Sequence, residues 1–129
     1  MNKGELGKTY EPGDVIVKQG EAGDCMFVIQ EGQVVATLEQ DGKEGVLGML
    51  GPGDFFGEMS VFEKQARSAT VRAVSRARVL TVDKKNLLRQ ITDDPTLAFN
   101  LLEKMSARIS DLTRQVAWLT KEDEYKHNR

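Results

Sequence analysis

Short apolar runs separated by turn residues occupy the first two-thirds of the chain. Tight turns are predicted at Glu11-Pro12-Gly13-Asp14 and Gly51-Pro52-Gly53-Asp54, where proline sets the first φ angle and glycine takes the left-handed position. Asp41-Gly42 is a hairpin signal. The runs that predict strands are 15–17, 26–30, 33–38, 46–50, 70–74 and 78–82. This spacing predicts an antiparallel β-barrel or jelly roll over residues 1–82.

The hydrophobic period changes from that of strands to that of helices in the final third. Asp83 can cap a short helix over residues 83–92. Asp94 and Pro95 predict the start of a long helix over residues 94–121, because proline is tolerated in the first helical turn. Residues 122–129 are expected to form a charged, frayed tail. We therefore predict a single domain over residues 1–129, mainly β with a C-terminal α part.

Apolar residues on the predicted long helix repeat with heptad spacing, at Ile109, Leu112, Val116 and Leu119. β-Branched residues at the a positions and leucines at the d positions favour parallel helix pairs. A helix that packs its apolar stripe within its own subunit would show a similar pattern over so short a length, so that alternative stays open. The pattern predicts a parallel homodimer with these four residues as its seam.

Composition narrows the functional classes. The 129 residues carry a net charge of −2 with both signs interspersed, which argues against a nucleic-acid partner for this chain alone, and the apolar runs are too short to suggest a membrane span. Cys25 is the single cysteine, which excludes an intrachain disulfide and fits a cytoplasmic location. The one histidine, His127, speaks against a histidine-built metal site or a nucleophile–base pair. We expect no enzyme, no catalytic residue, no metal and no cofactor.

Gly57, Glu58 and Arg67 are the residues whose chemistry points to a ligand. Glycine lets a phosphate approach the backbone, and free N–H groups at a helical turn can hold an anion. The guanidinium of Arg67 matches phosphate oxygens two at a time, and the Glu58 carboxylate suits a sugar hydroxyl. Together they predict a site for a ribose phosphate. From these residues alone, a structural Glu58–Arg67 ion pair on a turn is an open alternative.

Two longer patterns resemble the cyclic nucleotide-binding domain family. The second extends the residues just discussed and runs from Phe56 to Ala73. The first reads Ile16-Val17-x-x-Gly20-Glu21-x-Gly23-x-x-Met26-Phe27-Val28-Ile29-x-x-Gly32. The resemblance covers roughly residues 10–119, and two long patterns in the right order are far more specific than a lone Phe-Gly-Glu.

The resemblance implies roles for individual residues. It places Arg67 against a cyclic phosphate and Glu58 against the ribose 2′-hydroxyl. The implied ligand-binding residues are Gly57, Glu58, Met59, Ser60, Arg67, Ser68 and Ala69. The implied base-pocket residues are Ala36, Leu47, Leu50, Arg108, Leu112 and Thr113.

The same resemblance implies a regulatory function. We expect a sensor for cAMP in preference to cGMP, which transmits ligand binding through its C-terminal helix to a downstream protein of unknown identity. One alternative is the sensor half of a transcription regulator whose DNA-binding part is absent from this chain, which ends at Arg129. Another is a degenerate domain that binds no nucleotide and acts in protein contacts.

Overall fold

A computed structural model describes residues 7–63 and 66–127, and at residues 97 and 120–127 it describes the backbone only. The chain divides into two compact units, one running through Arg89 and the other beginning at Gln90. The elements in chain order are β1 (Lys8–Tyr10), β2 (Val15–Val17), β3 (Cys25–Glu31), β4 (Val34–Gln40), β5 (Lys43–Leu50), β6 (Phe55–Phe56), α1 (Glu58–Phe62), β7 (Thr70–Ala73), β8 (Ala77–Asp83), α2 (Lys84–Asp93) and α3 (Pro95–His127).

The strands form two four-stranded antiparallel sheets. One has the order β1-β8-β3-β6 and the other the order β2-β7-β4-β5. In the first sheet Val28 of β3 lies between Phe55 of β6 and Leu80 of β8. In the second, Ala36 of β4 lies between Gly48 of β5 and Val71 of β7. This arrangement is a jelly-roll-like β-sandwich, which confirms the jelly-roll prediction and corrects the barrel one, because the two sheets do not join into a closed cylinder.

One apolar core is shared by the inner faces of the two sheets. Side chains alternate along a strand, so the residues of one face recur at every second position. The buried cluster takes its members from both sheets: Val17, Phe27, Ile29, Val34, Phe56, Val71, Ala73, Ala77 and Val79. Met26 and Val28 on the other face of β3 are buried as well, and α1 packs on this strand. Strand β3 is therefore covered on both faces, which explains its unbroken apolar run.

The predicted turns are confirmed. Asp41 and Gly42 both have positive φ angles, 55° and 77°, and they join β4 to β5 as a two-residue hairpin loop. In the two proline-glycine turns, the N–H of Asp14 donates to the carbonyl of Glu11 and the N–H of Asp54 to that of Gly51, each at 3.0 Å. Local sequence therefore determines where these chain reversals occur.

Both predicted helix caps are also confirmed. The Asp83 carboxylate accepts from the N–H of Asn86 at 2.8 Å, and the Asp94 carboxylate accepts from the N–H of Thr96 at 3.1 Å. The helix α3 is longer than predicted, since it continues to His127 rather than ending at residue 121. The fraying predicted for residues 122–129 stays a prediction, and residues 128 and 129 lie outside the described residues.

Two short strands were not predicted. Strand β1 has three residues and pairs with β8, whereas β6 has two and pairs with β3. The residues of β1, Lys-Thr-Tyr, form no apolar run, and the two residues of β6 are too few to show a period, so only their pairing partners reveal these strands. Strand β6 ends at Phe56, directly before Gly57.

Candidate functional site

Gly57 forms the turn between β6 and the short helix α1. Its φ angle is 79°, in the left-handed region, and its carbonyl accepts from the N–H of Ser60 at 3.2 Å. A Cβ atom added at this position would lie 2.6 Å from Nη1 of Arg67. Only glycine satisfies both the backbone geometry and the close approach of the guanidinium. The turn and the arginine, ten residues apart in sequence, are therefore neighbours in space.

Arg67 is a buried arginine, with 8% of its surface exposed. Its Nη1 donates to the carbonyl of Gly57 at 3.2 Å, and its Nη2 donates to Sγ of Cys25 at 3.5 Å. The centre of the guanidinium lies 5.3 Å from the ring centroid of Phe27. Two of these contacts, with Cys25 and Phe27, come from strand β3, about forty residues away along the chain.

The backbone of Arg67 is held as firmly as its side chain. Its N–H donates to the carbonyl of Glu21 and its carbonyl accepts from the N–H of Gly20, both at 2.8 Å. These two hydrogen bonds join the segment before β7 to the loop after β2. The backbone of Arg67 is thereby tied to that loop by two hydrogen bonds.

Within the described part of the chain, the Arg67 guanidinium contacts three neutral groups: a carbonyl, a thiol and an aromatic ring. The Glu58–Arg67 ion pair stays an open alternative. A buried charge is costly unless a charged partner or good hydrogen bonds compensate it. Such a site gains most from an incoming anion, and a phosphate supplies both the charge and paired oxygen acceptors.

The other predicted ligand-binding residues follow Gly57 and Arg67 in the sequence. Glu58 is the half-buried first residue of α1, Met59 is exposed and Ser60 is buried. Ser68 is exposed and Ala69 half-buried, in the two positions before β7 begins. The structure thus brings Arg67 and Gly57 into contact. The other five predicted ligand-binding residues follow Gly57 or Arg67 directly in the sequence.

The three predicted base-pocket residues of the β-sandwich unit differ in how exposed they are. Ala36 and Leu50 are half-buried and pack against the shared core cluster. Leu47 is 60% exposed, and it lies where the register between β4 and β5 shifts, since Ala36 pairs with Gly48 but Thr37 pairs with Val46. A bulge re-aims the side chain at which it occurs. The role of these three residues around a base stays a prediction.

Arg108, Leu112 and Thr113 lie on α3, in the unit that begins at Gln90. Arg108 is half-buried, whereas Leu112 and Thr113 are exposed. The four residues of the predicted seam, Ile109, Leu112, Val116 and Leu119, are between 59% and 65% exposed. Their roles towards a base or a second subunit stay predictions.

A cavity of about 520 Å³ lies elsewhere on the β-sandwich unit, over the β2-β7-β4-β5 sheet. Thr37, Thr70 and Arg72 line it, and none of the predicted ligand-binding residues does. Side-chain alternation explains the separation, because Thr70 and Arg72 point away from the face on which Val71 joins the core. The predicted ligand-binding residues therefore lie outside this cavity, although Glu21, whose carbonyl accepts from the Arg67 N–H, is part of its lining.

Three further properties concern charge, metals and membranes. Burial raises the pKa of the Tyr10 phenol above its ordinary value, and Cys25 and Asp14 add to the rise. Within residues 7–63 and 66–127 there is no cluster of three or more His, Cys, Asp or Glu side chains that could hold a metal ion. Over the same ranges no helix has the length and apolar character needed to cross a membrane.

The sequence signals missed three neighbours of Arg67. Gly23 and Phe27 appear in the first pattern, and Cys25 appears in it only as an unspecified position, but none was assigned to the site. A Cβ atom on Gly23 would lie between 2.3 and 2.5 Å from three atoms of the Arg67 guanidinium. Phe27 also stacks on Phe56, with ring centroids 5.0 Å apart. The signal that could have found them is strand pairing, because β3 pairs with β6 directly before Gly57.

Comparison with known proteins decides the family. The sequence model of the cyclic nucleotide-binding domain matches residues 7–94, well over half of the chain. The chain belongs to the cyclic nucleotide-binding domain family. This family is regulatory and non-catalytic. In this cyclic nucleotide-binding domain, Gly57 and Arg67 both lie within the matched residues 7–94.

Relatives of this cyclic nucleotide-binding domain include proteins of different architecture. The CRP-like cAMP-activated global transcriptional regulator of Mycobacterium tuberculosis is 30% identical over 109 residues, which cover 84% of this chain and 49% of that protein. A putative potassium channel protein of Rhodopseudomonas palustris is 39% identical over 101 residues, covering 78% and 24% respectively. The crystal structure of Thermus thermophilus catabolite activator protein has a TM-score of 0.78 at 30% identity, covering 88% and 54%. The chain spans about half the length, or less, of these relatives.

Proposed function

We propose that this chain is a cyclic nucleotide sensor that binds cAMP in preference to cGMP. The observation that carries the proposal is the buried Arg67 guanidinium, which has neutral contacts and lies against the Gly57 turn. A cyclic phosphate complements this arrangement, because its two non-bridging oxygens share one negative charge. Membership in the family supports the ligand class, and relatives named for cAMP activation support the preference for cAMP.

The proposed sensor acts through proteins and not through catalysis. We place it in the cytoplasm, as a parallel homodimer whose seam is the exposed stripe on α3 that contains Ile109, Leu112, Val116 and Leu119. Ligand binding is transmitted through this helix to a downstream protein. The matched relatives include a transcriptional regulator and a channel, each much longer than this chain, which supports a sensor module that serves different outputs.

Titration calorimetry tests the proposal directly. The purified chain should bind cAMP with micromolar or tighter affinity and cGMP more weakly, whereas linear AMP should bind much more weakly than either because its phosphate carries a second charge and no ring. Ligand binding should also raise the melting temperature. Absence of both heat and a melting shift at millimolar cAMP and cGMP would support the degenerate-domain alternative instead.

Glu58 should recognise the ribose 2′-hydroxyl. In the wild-type protein, 2′-deoxy-cAMP should bind more weakly than cAMP by about 1–3 kcal/mol, because the half-buried carboxylate loses its donor. In Glu58→Ala the two ligands should bind nearly alike. The measurement is calorimetry with both nucleotides on both proteins.

Glu63, an exposed carboxylate directly after α1, provides the matched control. Glu63→Ala should keep the wild-type difference between cAMP and its deoxy form. If Glu58→Ala weakens both nucleotides by the same factor, the carboxylate supports the fold of the turn and does not read the ribose.

A further inference from the structure

The Cys25 thiol has a contact that its role as a core residue does not require. Cys25 is half-buried at the start of β3, and its Sγ accepts a hydrogen bond from Nη2 of Arg67 at 3.5 Å. Sulfur is a weak acceptor, so this contact adds little charge compensation to the guanidinium. The hydrogen bond instead orients the Nη2 edge of the Arg67 guanidinium.

Three other residues lie against the guanidinium. The carbonyl of Gly57 binds Nη1, the ring of Phe27 covers one face, and Gly23 leaves a space that a methyl group would fill. A Cβ on Gly23 would lie 2.3 Å from Nε, 2.4 Å from Cζ and 2.5 Å from Nη2 of Arg67. The position of the arginine is therefore determined by packing as well as by hydrogen bonds, and small additions around it must displace it.

We propose that Cys25 is a positioning residue for the ligand-binding arginine: its thiol holds the Arg67 guanidinium at the Gly57 turn, and a covalent adduct on the thiol closes the site to cyclic nucleotides. This inference rests on the proposed function, in which Arg67 binds the cyclic phosphate. An adduct on Sγ would displace the guanidinium, because the guanidinium already occupies the space beside the sulfur. The ligand site thereby responds to the chemical state of the one cysteine in the chain.

Iodoacetamide is a suitable probe of the thiol. The sulfur forms a bond to the methylene carbon as iodide leaves, and the thiol proton passes to solvent. Because the chain has a single cysteine, Cys25→Ala treated in the same way controls for reaction elsewhere. Alkylated wild-type protein should bind cAMP about 30-fold more weakly or worse, the loss expected when the arginine leaves the phosphate. Treated and untreated Cys25→Ala should bind alike.

Substitutions separate positioning from bulk. Cys25→Ala should weaken cAMP binding about two- to tenfold, the range of one net hydrogen bond, and Cys25→Ser should restore part of the loss. Gly23→Ala should reproduce the effect of the adduct without touching the thiol. Its backbone is not in the left-handed region and the clashing atoms end a flexible side chain, so the fold should persist. Gly51→Ala, where an added Cβ meets nothing within 4 Å, is the matched control and should bind as wild type.

A readout without ligand keeps the test independent of the proposed function. The Nε–H signal of Arg67 in an NMR spectrum, assigned by its loss in Arg67→Ala, should exchange slowly with water in the wild-type protein because the group is buried. It should exchange faster after alkylation and in Gly23→Ala. If wild-type protein binds cAMP but alkylation and Gly23→Ala change neither affinity nor exchange, the positioning role is overturned and the sensor function stands. If no nucleotide binds, the proposed function fails, and unchanged exchange would overturn the positioning role as well.

Discussion

Replacing Arg67 by alanine should weaken cAMP binding by roughly 2–5 kcal/mol, or from about 30-fold to a few thousand-fold. The guanidinium is buried against neutral groups, so the cyclic phosphate would be its charged partner in the complex. Removing it leaves that phosphate without a counter-charge in a site largely closed to water. Calorimetry with cAMP measures the loss directly.

Two further variants complete this experiment. Arg67→Lys should recover only part of the affinity, because an ammonium group cannot donate two parallel hydrogen bonds. Arg72→Ala is the control, since Arg72 belongs to the same unit but lines the cavity over the second sheet. It should leave affinity unchanged. Wild-type affinity in Arg67→Ala, with an unchanged melting temperature, would show that the phosphate binds elsewhere.

Val116→Asp should abolish the proposed dimer at micromolar protein concentrations. Val116 is 62% exposed in the single chain and lies at the centre of the apolar stripe on α3. In a two-fold symmetric pair, each subunit would bury an aspartate facing its twin, and unpaired buried charges cost several kcal/mol. Sedimentation should show a dimer for the wild type and a monomer for the variant.

Ala117→Asp introduces the same charge one residue away, at an exposed position outside the stripe. It carries at least as large a cost in helix propensity, so a dimer that survives Ala117→Asp but not Val116→Asp depends on the stripe itself. A wild-type monomer at tens of micromolar, with and without cAMP, would mean that the heptad pattern does not mark a subunit interface.

Local chemistry determined much of this fold in advance. The Asp41-Gly42 hairpin needs only two residues that tolerate positive φ angles. The caps at Asp83 and Asp94 need only one short carboxylate before a helical run. Each feature depends on neighbours within four residues, so the sequence contains all the information required. The extension of α3 to His127 was missed because a charged segment can equally fray or continue a helix.

By itself, the sequence determined the strand pattern, the turns, the caps and the ten-residue offset between Gly57 and Arg67 within one motif. Tertiary structure alone decided that the sheets form a sandwich and not a closed barrel, and that β1 and β6 exist. It also decided what surrounds Arg67: Cys25 and Phe27 come from a strand forty residues away, through pairing that no local period encodes. Motif spacing follows from the chain, but the partners of a buried charge depend on which strands lie side by side, and that is settled only when the whole core packs.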